Sequence, residues 1–245
     1  MTRTREFWRS NFYNEPVYTH ARMEIRNSIA GGRKTLVNVG SHLGAEAMPY
    51  IQSGWRVFAF EPNPGLADEL RRLEREHSNF TFIPKAVSAN PGAKVEFFVS
   101  DKASGMSSLV RRDPSARSVS VEVTTLSAFC KEYDIDAIDY LLIDAELKDL
   151  EVFQSLDETT RLGAVTLEFG GNMLPRIHDH VIARRPDFEN IVFEYRKPLG
   201  PDGAEMMGVA AKCVARSTVA DYIEKAARGA AAGRWGNVLY FDPAL

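Results

Sequence analysis

The stretch Leu36-Val-Asn-Val-Gly-Ser-His-Leu-Gly44 decides how the chain is interpreted. In it, a short and mostly apolar run is followed directly by Gly40 and, four positions later, by Gly44. Short apolar runs bounded by glycine are typical of buried strands in a parallel sheet. The Gly-x-x-x-Gly loop lets the backbone turn sharply and approach a ligand, and a helical pattern follows it. Ligands of open α/β sheets bind at the carboxyl ends of strands, so the pattern predicts a binding loop here. A plain turn is the alternative.

A carboxylate follows the next strand at an informative distance. The run Val57-Phe-Ala-Phe-Glu61 ends in an acid 21 positions after Gly40. An acid at about that spacing can hold both ribose hydroxyls of an adenosine group. A solvated acid at a strand end is the alternative. The loop lacks the third glycine of the Gly-x-Gly-x-x-Gly pattern, so S-adenosylmethionine is favoured over NAD(P), and an NAD(P)-linked oxidoreductase is the disfavoured alternative.

The rest of the chain alternates strand-like and helical patterns, which predicts a doubly wound α/β fold with a mostly parallel sheet and a reversed last strand. A helix is predicted over residues 64–77, capped by Asn63. Residues 94–124 form a predicted antiparallel excursion, and residues 218–232 a predicted helix. The predicted strands are Leu36–Val39, Val57–Phe60, Phe80–Ile83, Tyr140–Ile143, Ala164–Phe169 and Ile191–Tyr195, with Asn237–Asp242 antiparallel to the last of these.

Composition restricts the class of protein. The chain has 245 residues, 44% of them hydrophobic, a net charge of −3 and a pI near 6.0. This balance argues against nucleic-acid binding, and the absence of a long apolar run argues against a membrane span or a secretory signal. Cys130 and Cys213 form no disulfide or zinc pattern. We therefore expect a cytoplasmic protein with a helical leader over 1–30 and one domain over 31–245.

Six sequence pieces together resemble the FkbM-type S-adenosylmethionine-dependent methyltransferases, and they occur in that family's order and spacing. They cover a little more than half of the chain. The pieces are Val37-Asn-Val-Gly-Ser-His-Leu-Gly44, Phe58-Ala-Phe-Glu-Pro-Asn-Pro64, Lys85-Ala-Val-Ser88, Gly105-Met-Ser-Ser-Leu109, Val123-Thr-Thr-Leu126 and Ile143-Asp-Ala-Glu-Leu-Lys-Asp-Leu-Glu-Val152.

The resemblance implies a class I methyltransferase sheet with S-adenosylmethionine as its cofactor. The first loop would surround the methionine part, Glu61 would hold the ribose, and a turn at Lys85–Val87 would border the adenine. Ser107 lies in the polar excursion. This segment is expected to lie over the cofactor, and a structural turn is the alternative. The predicted cofactor-binding residues are Asn38, Gly40, Ser41, His42, Gly44, Glu61, Pro62, Asn63, Lys85, Ala86, Val87, Ser107 and Asp144.

Five residues are candidates for the chemistry of methyl transfer. By the resemblance, Asp144 and Glu146 would lie near the transferring methyl group. A hydroxyl acceptor must lose a proton, so His42 or His178 is a candidate general base, each with a solvated or backbone-bonded histidine as the alternative. Glu168, at a strand end, would orient the acceptor hydroxyl. No metal is predicted, although Asp144, Glu168 and Asn172 offer oxygen ligands of the kind that Mg²⁺ prefers.

The sequence thus predicts an O-methyltransferase whose partner is a small acceptor, a sugar or secondary-metabolite hydroxyl. Three positions depart from the family pattern: Asn38 replaces Asp, Leu142 replaces Lys and Leu147 replaces Gly. These departures support one alternative, a divergent homologue that binds the cofactor weakly or not at all and acts as a binding protein.

Overall fold

A computed structural model describes residues 34–90, 92, 94–100, 107–196, 212–228 and 235–244. The predicted leader over 1–30 lies outside these residues. The chain divides into two units, one containing Gly31–Glu168 and the other containing Phe169–Leu245. The single domain over 31–245 stays a prediction.

Parallel strands make up the main sheet of the first unit, in the order β8-β7-β1-β2-β3. Side chains such as Leu36, Val57 and Leu141 are fully buried there, as expected where both faces of a parallel sheet are covered. The predicted strands are confirmed, and most extend a little at one or both ends. The strands of this unit are β1 (Thr35–Val39), β2 (Arg56–Phe60), β3 (Phe80–Ile83), β4 (Lys85–Val87), β5 (Val95–Val99), β6 (Arg117–Thr124), β7 (Ala137–Ile143) and β8 (Arg161–Gly170).

The helices of the first unit follow the strands. They are α1 (Met48–Gln52), α2 (Ala67–Glu76), α3 (Leu126–Glu132) and α4 (Asp149–Gln154), with a 3-10 turn at Pro64–Leu66. The predicted cap is confirmed, because the side chain of Asn63 accepts a hydrogen bond from the Gly65 N–H. The helix expected directly behind the Gly-x-x-x-Gly loop is short and begins only at Met48, since turns occupy the intervening residues.

The two strands of the excursion form a second sheet together with β4, in the order β4-β6-β5. Strands β5 and β6 pair antiparallel, as predicted. The turn predicted at Lys85–Val87 is wrong: these residues form β4, which pairs parallel with β6. Ala86 and Val87 are buried, and Ala86 packs in the core of this second sheet, so the residues after Pro84 are held extended.

The second unit contains three antiparallel strands in the order β10-β9-β11 and two helices. They are α5 (Met173–Arg184), β9 (Glu189–Arg196), β10 (Lys212–Ser217), α6 (Val219–Ala227) and β11 (Trp235–Phe241). The predicted pairing of the last strand with β9 is confirmed. Strand β10 was not predicted. The predicted helix is confirmed over Val219–Ala227, where Thr218 and Asp221 form a capping box, and its last residues lie outside the described part.

The architecture is therefore α/β with a mostly parallel sheet, as the sequence predicts. Among the described residues, no helix combines the length and the apolar character that crossing a membrane requires.

A buried hydrogen bond between β7 and β8 yields a stability prediction. The Tyr140 hydroxyl lies 2.6 Å from Thr166 Oγ1, and both residues are fully buried. We expect Tyr140→Phe to lower the free energy of unfolding by about 1–3 kcal/mol, because Thr166 loses a partner that water cannot replace. Adding Thr166→Val should cost less than the sum of the single changes. Urea unfolding of the unsubstituted protein, the two single variants and the double variant measures this coupling, and strict additivity would contradict it.

Candidate active site

The register of the sheet brings four predicted site residues to one edge. Phe60, Val39 and Ile143 are aligned, and Ile143 is aligned with Leu167. The next residue along each of these strands belongs to the row Glu61, Gly40, Asp144 and Glu168. Because successive side chains alternate between faces, the members of this row share a face at the carboxyl ends of their strands.

Gly40 is the point of closest approach in this row. Its φ is +80°, and a Cβ placed on it would lie 1.8 Å from the backbone oxygen of Asp144. The Asp144 N–H in turn donates to the Val39 carbonyl oxygen at 2.9 Å. Only glycine therefore lets the first loop lie directly against the end of β7.

Glu61 joins the loops that follow β1 and β2. One carboxylate oxygen accepts from the His42 N–H at 2.9 Å and the other from the Asn63 N–H at 2.8 Å. The side chain is buried, which excludes the alternative of a solvated acid. Burial raises the pKa of Glu61 to about 7, although its two N–H partners oppose that shift. Each oxygen keeps a further lone pair for a hydroxyl donor.

A pocket opens at this edge of the sheet. Phe97 and Leu109 of the excursion line it on one side, and Ala145 and Lys148 line it after β7. Of the predicted cofactor-binding residues, Gly40, Glu61, Pro62, Lys85, Ala86, Val87, Ser107 and Asp144 line this pocket. Ser41, His42, Gly44, Asn63 and Asn38 lie in or beside the loops around it, without lining it.

Two buried polar side chains near the pocket lack partners. Asn38 is fully buried in β1, and neither its amide nitrogen nor its amide oxygen has a hydrogen-bond partner among the described residues. The buried Ser41 hydroxyl likewise has no hydrogen-bond partner among the described residues. Unmet buried polar groups cost free energy, so a ligand or water that bonds to them would bind favourably.

Three of the predicted catalytic carboxyls form one cluster. Asp144, Glu146 and Glu168 each place an oxygen within 4.8 Å of the others. Asp144 lines the pocket and is also exposed to solvent. Desolvation, and then the charges of Glu168 and Glu146, raise its pKa well above the usual range. Burial and the charge of Glu146 raise the pKa of Glu168 to about 8.

The excursion holds Glu146 at two points. Ser108 Oγ donates to its carbonyl oxygen at 2.9 Å, and the Arg112 guanidinium pairs with its carboxylate. Burial raises the pKa of Glu146, and the charge of Arg112 opposes that rise. Glu146 and Leu147 have φ values of +50° and +81°, so the backbone is strained at two successive residues that carry side chains.

Asp149 supports the cluster from the start of α4. Its Oδ1 accepts from the Glu168 N–H at 3.0 Å, which ties the loop after β7 to the end of β8. Burial raises the pKa of Asp149 to about 7, against the effect of nearby backbone N–H groups. Sequence reasoning assigned no role to Asp149 or to Arg112. Asp149 stands in a matched family piece, but Arg112 carries no local signal because its partner is 34 residues away.

The two histidine candidates are not equivalent. The His42 backbone bonds to Glu61 with φ at +49°, and burial lowers the pKa of its imidazole. His178 lies on α5 in the second unit, where its Nδ1 is 3.2 Å from the Tyr240 hydroxyl and its ring stacks on the tyrosine ring. Asn172 also belongs to the second unit. A catalytic role for either histidine stays a prediction.

Comparison with known proteins identifies the class. The model of the methyltransferase FkbM domain matches residues 38–205, which is more than half of the chain. No curated protein matches. Similar solved structures include a precorrin-6y C5,15-methyltransferase from Geobacter metallireducens (10% identity, 90% of this chain, 87% of that chain, TM-score 0.44). Another is an rRNA methylase from Streptococcus thermophilus (9% identity, 91% of this chain, 95% of that chain, TM-score 0.46). A third is the glycopeptide N-methyltransferase MtfA complexed with S-adenosylmethionine (11% identity, 94% of this chain, 94% of that chain, TM-score 0.38).

The chain is an S-adenosylmethionine-dependent methyltransferase. It belongs to the FkbM methyltransferase domain family, a membership that rests on the family match. The site fits the cofactor: Glu61 lines the pocket and keeps lone pairs for a ribose, and Asn38 and Ser41 beside the pocket have unmet hydrogen-bonding groups.

The raised pKa of Glu61 predicts how cofactor affinity depends on pH. In the predicted placement the ribose hydroxyls would donate to the ionised carboxylate, so the proton that Glu61 takes up below about pH 7 would compete with binding. Affinity for S-adenosylhomocysteine should therefore fall as the pH falls, approaching tenfold per unit at about pH 6 and below. Burial lowers the pKa of the neighbouring His42 imidazole, so this group takes up its proton at lower pH than a free histidine does.

Calorimetric titration from about pH 5.5 to 8.5 tests this dependence. The control is Glu61→Gln, which should bind more weakly with little dependence on pH. Glu61→Ala should weaken the binding free energy of the cofactor by at most roughly 1.5–3 kcal/mol for each ribose hydrogen bond removed. A flat profile in the unsubstituted protein would contradict the placement of the ribose.

Leu147 yields a second prediction, because its φ of +81° favours glycine. Leu147→Gly and Leu147→Ala remove nearly the same contacts, and the leucine side chain is half exposed. The glycine variant should be more stable than the alanine variant by about 1 kcal/mol. At Lys131, an exposed position inside α3, the order should reverse. Denaturant unfolding of both pairs checks the prediction, and an alanine variant as stable as glycine at 147 would refute the strain.

Proposed function

We propose that this methyltransferase methylates the oxygen of a hydroxyl group on a small molecule, a sugar or a secondary-metabolite scaffold. One observation carries the proposal: carboxylates suited to accept a hydroxyl proton lie beside the cofactor pocket. Asp144 lines that pocket, and its carboxyl belongs to the same cluster as Glu168. The substrate class itself follows from the sequence resemblance.

The chemistry needs binding, alignment and one proton acceptor. The bound cofactor supplies a methyl group on a positively charged sulfur. Glu61 would hold the cofactor in the pocket, and Asn38 and Ser41 would contribute from beside it. The close contact between Gly40 and Asp144 would fix the edge beside which an acceptor aligns. Positioning of this kind supplies a large part of the rate.

The Asp144–Glu168 pair is the proton acceptor in this proposal. A carboxylate among other carboxylates binds a proton more readily than an isolated one, so it is a stronger base towards a hydroxyl. Glu146 is held by Arg112 and Ser108, so it contributes its charge from a fixed position. Asp144 lines the pocket and His42 does not, which favours the pair that contains Asp144 over His42.

The remaining sequence-based expectations are part of the same proposal. We propose a cytoplasmic protein that acts on a small molecule and not on nucleic acid or a membrane. These expectations rest on the balanced charge of the chain and on its lack of a long apolar run.

The experiment is a methyl-transfer screen with radiolabelled S-adenosylmethionine against hydroxylated sugars, polyketides and matched amines. Transfer to a hydroxyl compound supports the proposal, and transfer only to amines contradicts it. A preceding titration with S-adenosylmethionine and S-adenosylhomocysteine, with NAD as the control, separates a missing acceptor from a missing cofactor site.

Glu168→Gln makes the base role testable. Glu168 is not among the described residues that line the cofactor pocket. The affinity of the Glu168→Gln variant for S-adenosylhomocysteine should therefore stay close to that of the unsubstituted protein. Turnover of the identified acceptor should fall by roughly 10²–10⁴-fold, the usual contribution of a general base. Glu132→Gln, on the exposed end of α3, is the matched control. Unchanged turnover in Glu168→Gln would remove Glu168 from the mechanism.

A further inference from the structure

We propose that Asp144, Glu146 and Glu168 form a binding site for one divalent cation, Mg²⁺ or Mn²⁺. The three residues come from the carboxyl ends of β7 and β8 and from the loop after β7. One oxygen from each lies within 4.8 Å of the others, a spacing that a single ion can bridge. Carboxylate oxygens are the ligands that these hard cations prefer.

The local backbone prepares this arrangement. Register places Asp144 and Glu168 on one face of adjacent strands. Glu146 approaches from a left-handed backbone conformation that Ser108 holds through the carbonyl oxygen. Two of the ligands are therefore fixed by the sheet and the third by the excursion.

Asp149 supplies an independent observation. The residue is 3% exposed, and its Oδ2 has no hydrogen-bond partner among the described residues. The same carboxyl is held beside the cluster by the bond from the Glu168 N–H to Oδ1. It is close enough for its charge to act on both Asp144 and Glu168. An unmet buried carboxylate oxygen at this position fits a nearby cation or a water bound to one.

The balance of charge supports the same conclusion. Asp144, Glu146, Glu168 and Asp149 carry four carboxyls, and the ion pair that the described residues make with them is the one from Arg112 to Glu146. Lys148 is nearby but pairs with Glu151. A divalent ion would offset the charges that Arg112 leaves uncompensated.

Use of the ion in catalysis rests on the function proposed above, whereas its binding does not. A cation that contacts an acceptor hydroxyl lowers the pKa of that hydroxyl. A carboxylate has two oxygens, so Glu168 can bind the ion through one and accept the hydroxyl proton on the other. The cation would then also restrict the acceptor to groups that can ligate it through oxygen.

The test is Mn²⁺ binding to the full chain after removal of metals with EDTA, followed by calorimetry and by the loss of the free-ion EPR signal. We expect one Mn²⁺ per chain, with saturation at or below about 1 mM, and displacement by excess Mg²⁺. Glu168→Gln and Glu146→Gln should each weaken binding roughly tenfold or more. Glu132→Gln should bind as the unsubstituted protein does.

Circular dichroism and the thermal midpoint establish that each variant is folded, and if one variant does not fold the other decides. Absence of Mn²⁺ binding at about 1 mM, or equal binding by the folded cluster variants, would overturn the proposal. S-adenosylhomocysteine affinity is measured in the same samples. Retained cofactor binding without Mn²⁺ binding refutes the cation site alone, and Mn²⁺ binding without cofactor binding refutes the cofactor placement alone.

Discussion

The contact between Gly40 and the backbone of Asp144 is the constraint on which the rest of the site depends. A Cβ at Gly40 would overlap the Asp144 carbonyl oxygen, and the Asp144 N–H bonds back to Val39. The end of β1 and the end of β7 are therefore locked together at van der Waals distance. This contact places the Gly40–Gly44 loop, the buried carboxylate of Glu61 and the acidic cluster along one edge of the sheet.

The main elements of the fold could be predicted because each has a local cause. The apolar runs of β1, β2 and β3 and the Asn63 cap depend on residues close together in sequence. Lys85–Val87 was assigned wrongly because its extended shape comes from pairing with β6, more than thirty residues further on. Short segments follow their tertiary partners more than their own propensity.

The residues of the candidate site also divide into those that local sequence reveals and those that depend on distant partners. Gly40, Glu61 and Asp144 were found from spacing and resemblance, since a strand end followed by a glycine or an acid is visible in sequence. Arg112 was missed because neither charge pattern nor periodicity reveals that it meets Glu146 across the excursion. The unmet groups of Asn38 and Ser41 are likewise properties of packing, which no single-sequence pattern contains.

The hold of the excursion on Glu146 has an evolutionary consequence. Ser108 and Arg112 lie in the connection between β5 and β6, yet they fix both the backbone and the side chain of an acid in the cluster. A change in this connection can therefore shift an acid of the cluster without touching the strands that carry Gly40 and Glu61. Connections tolerate substitution and changes of length better than a parallel sheet does. Selection thus has a route to the acidic cluster through this connection, while the strands that carry Gly40 and Glu61 are inherited unchanged.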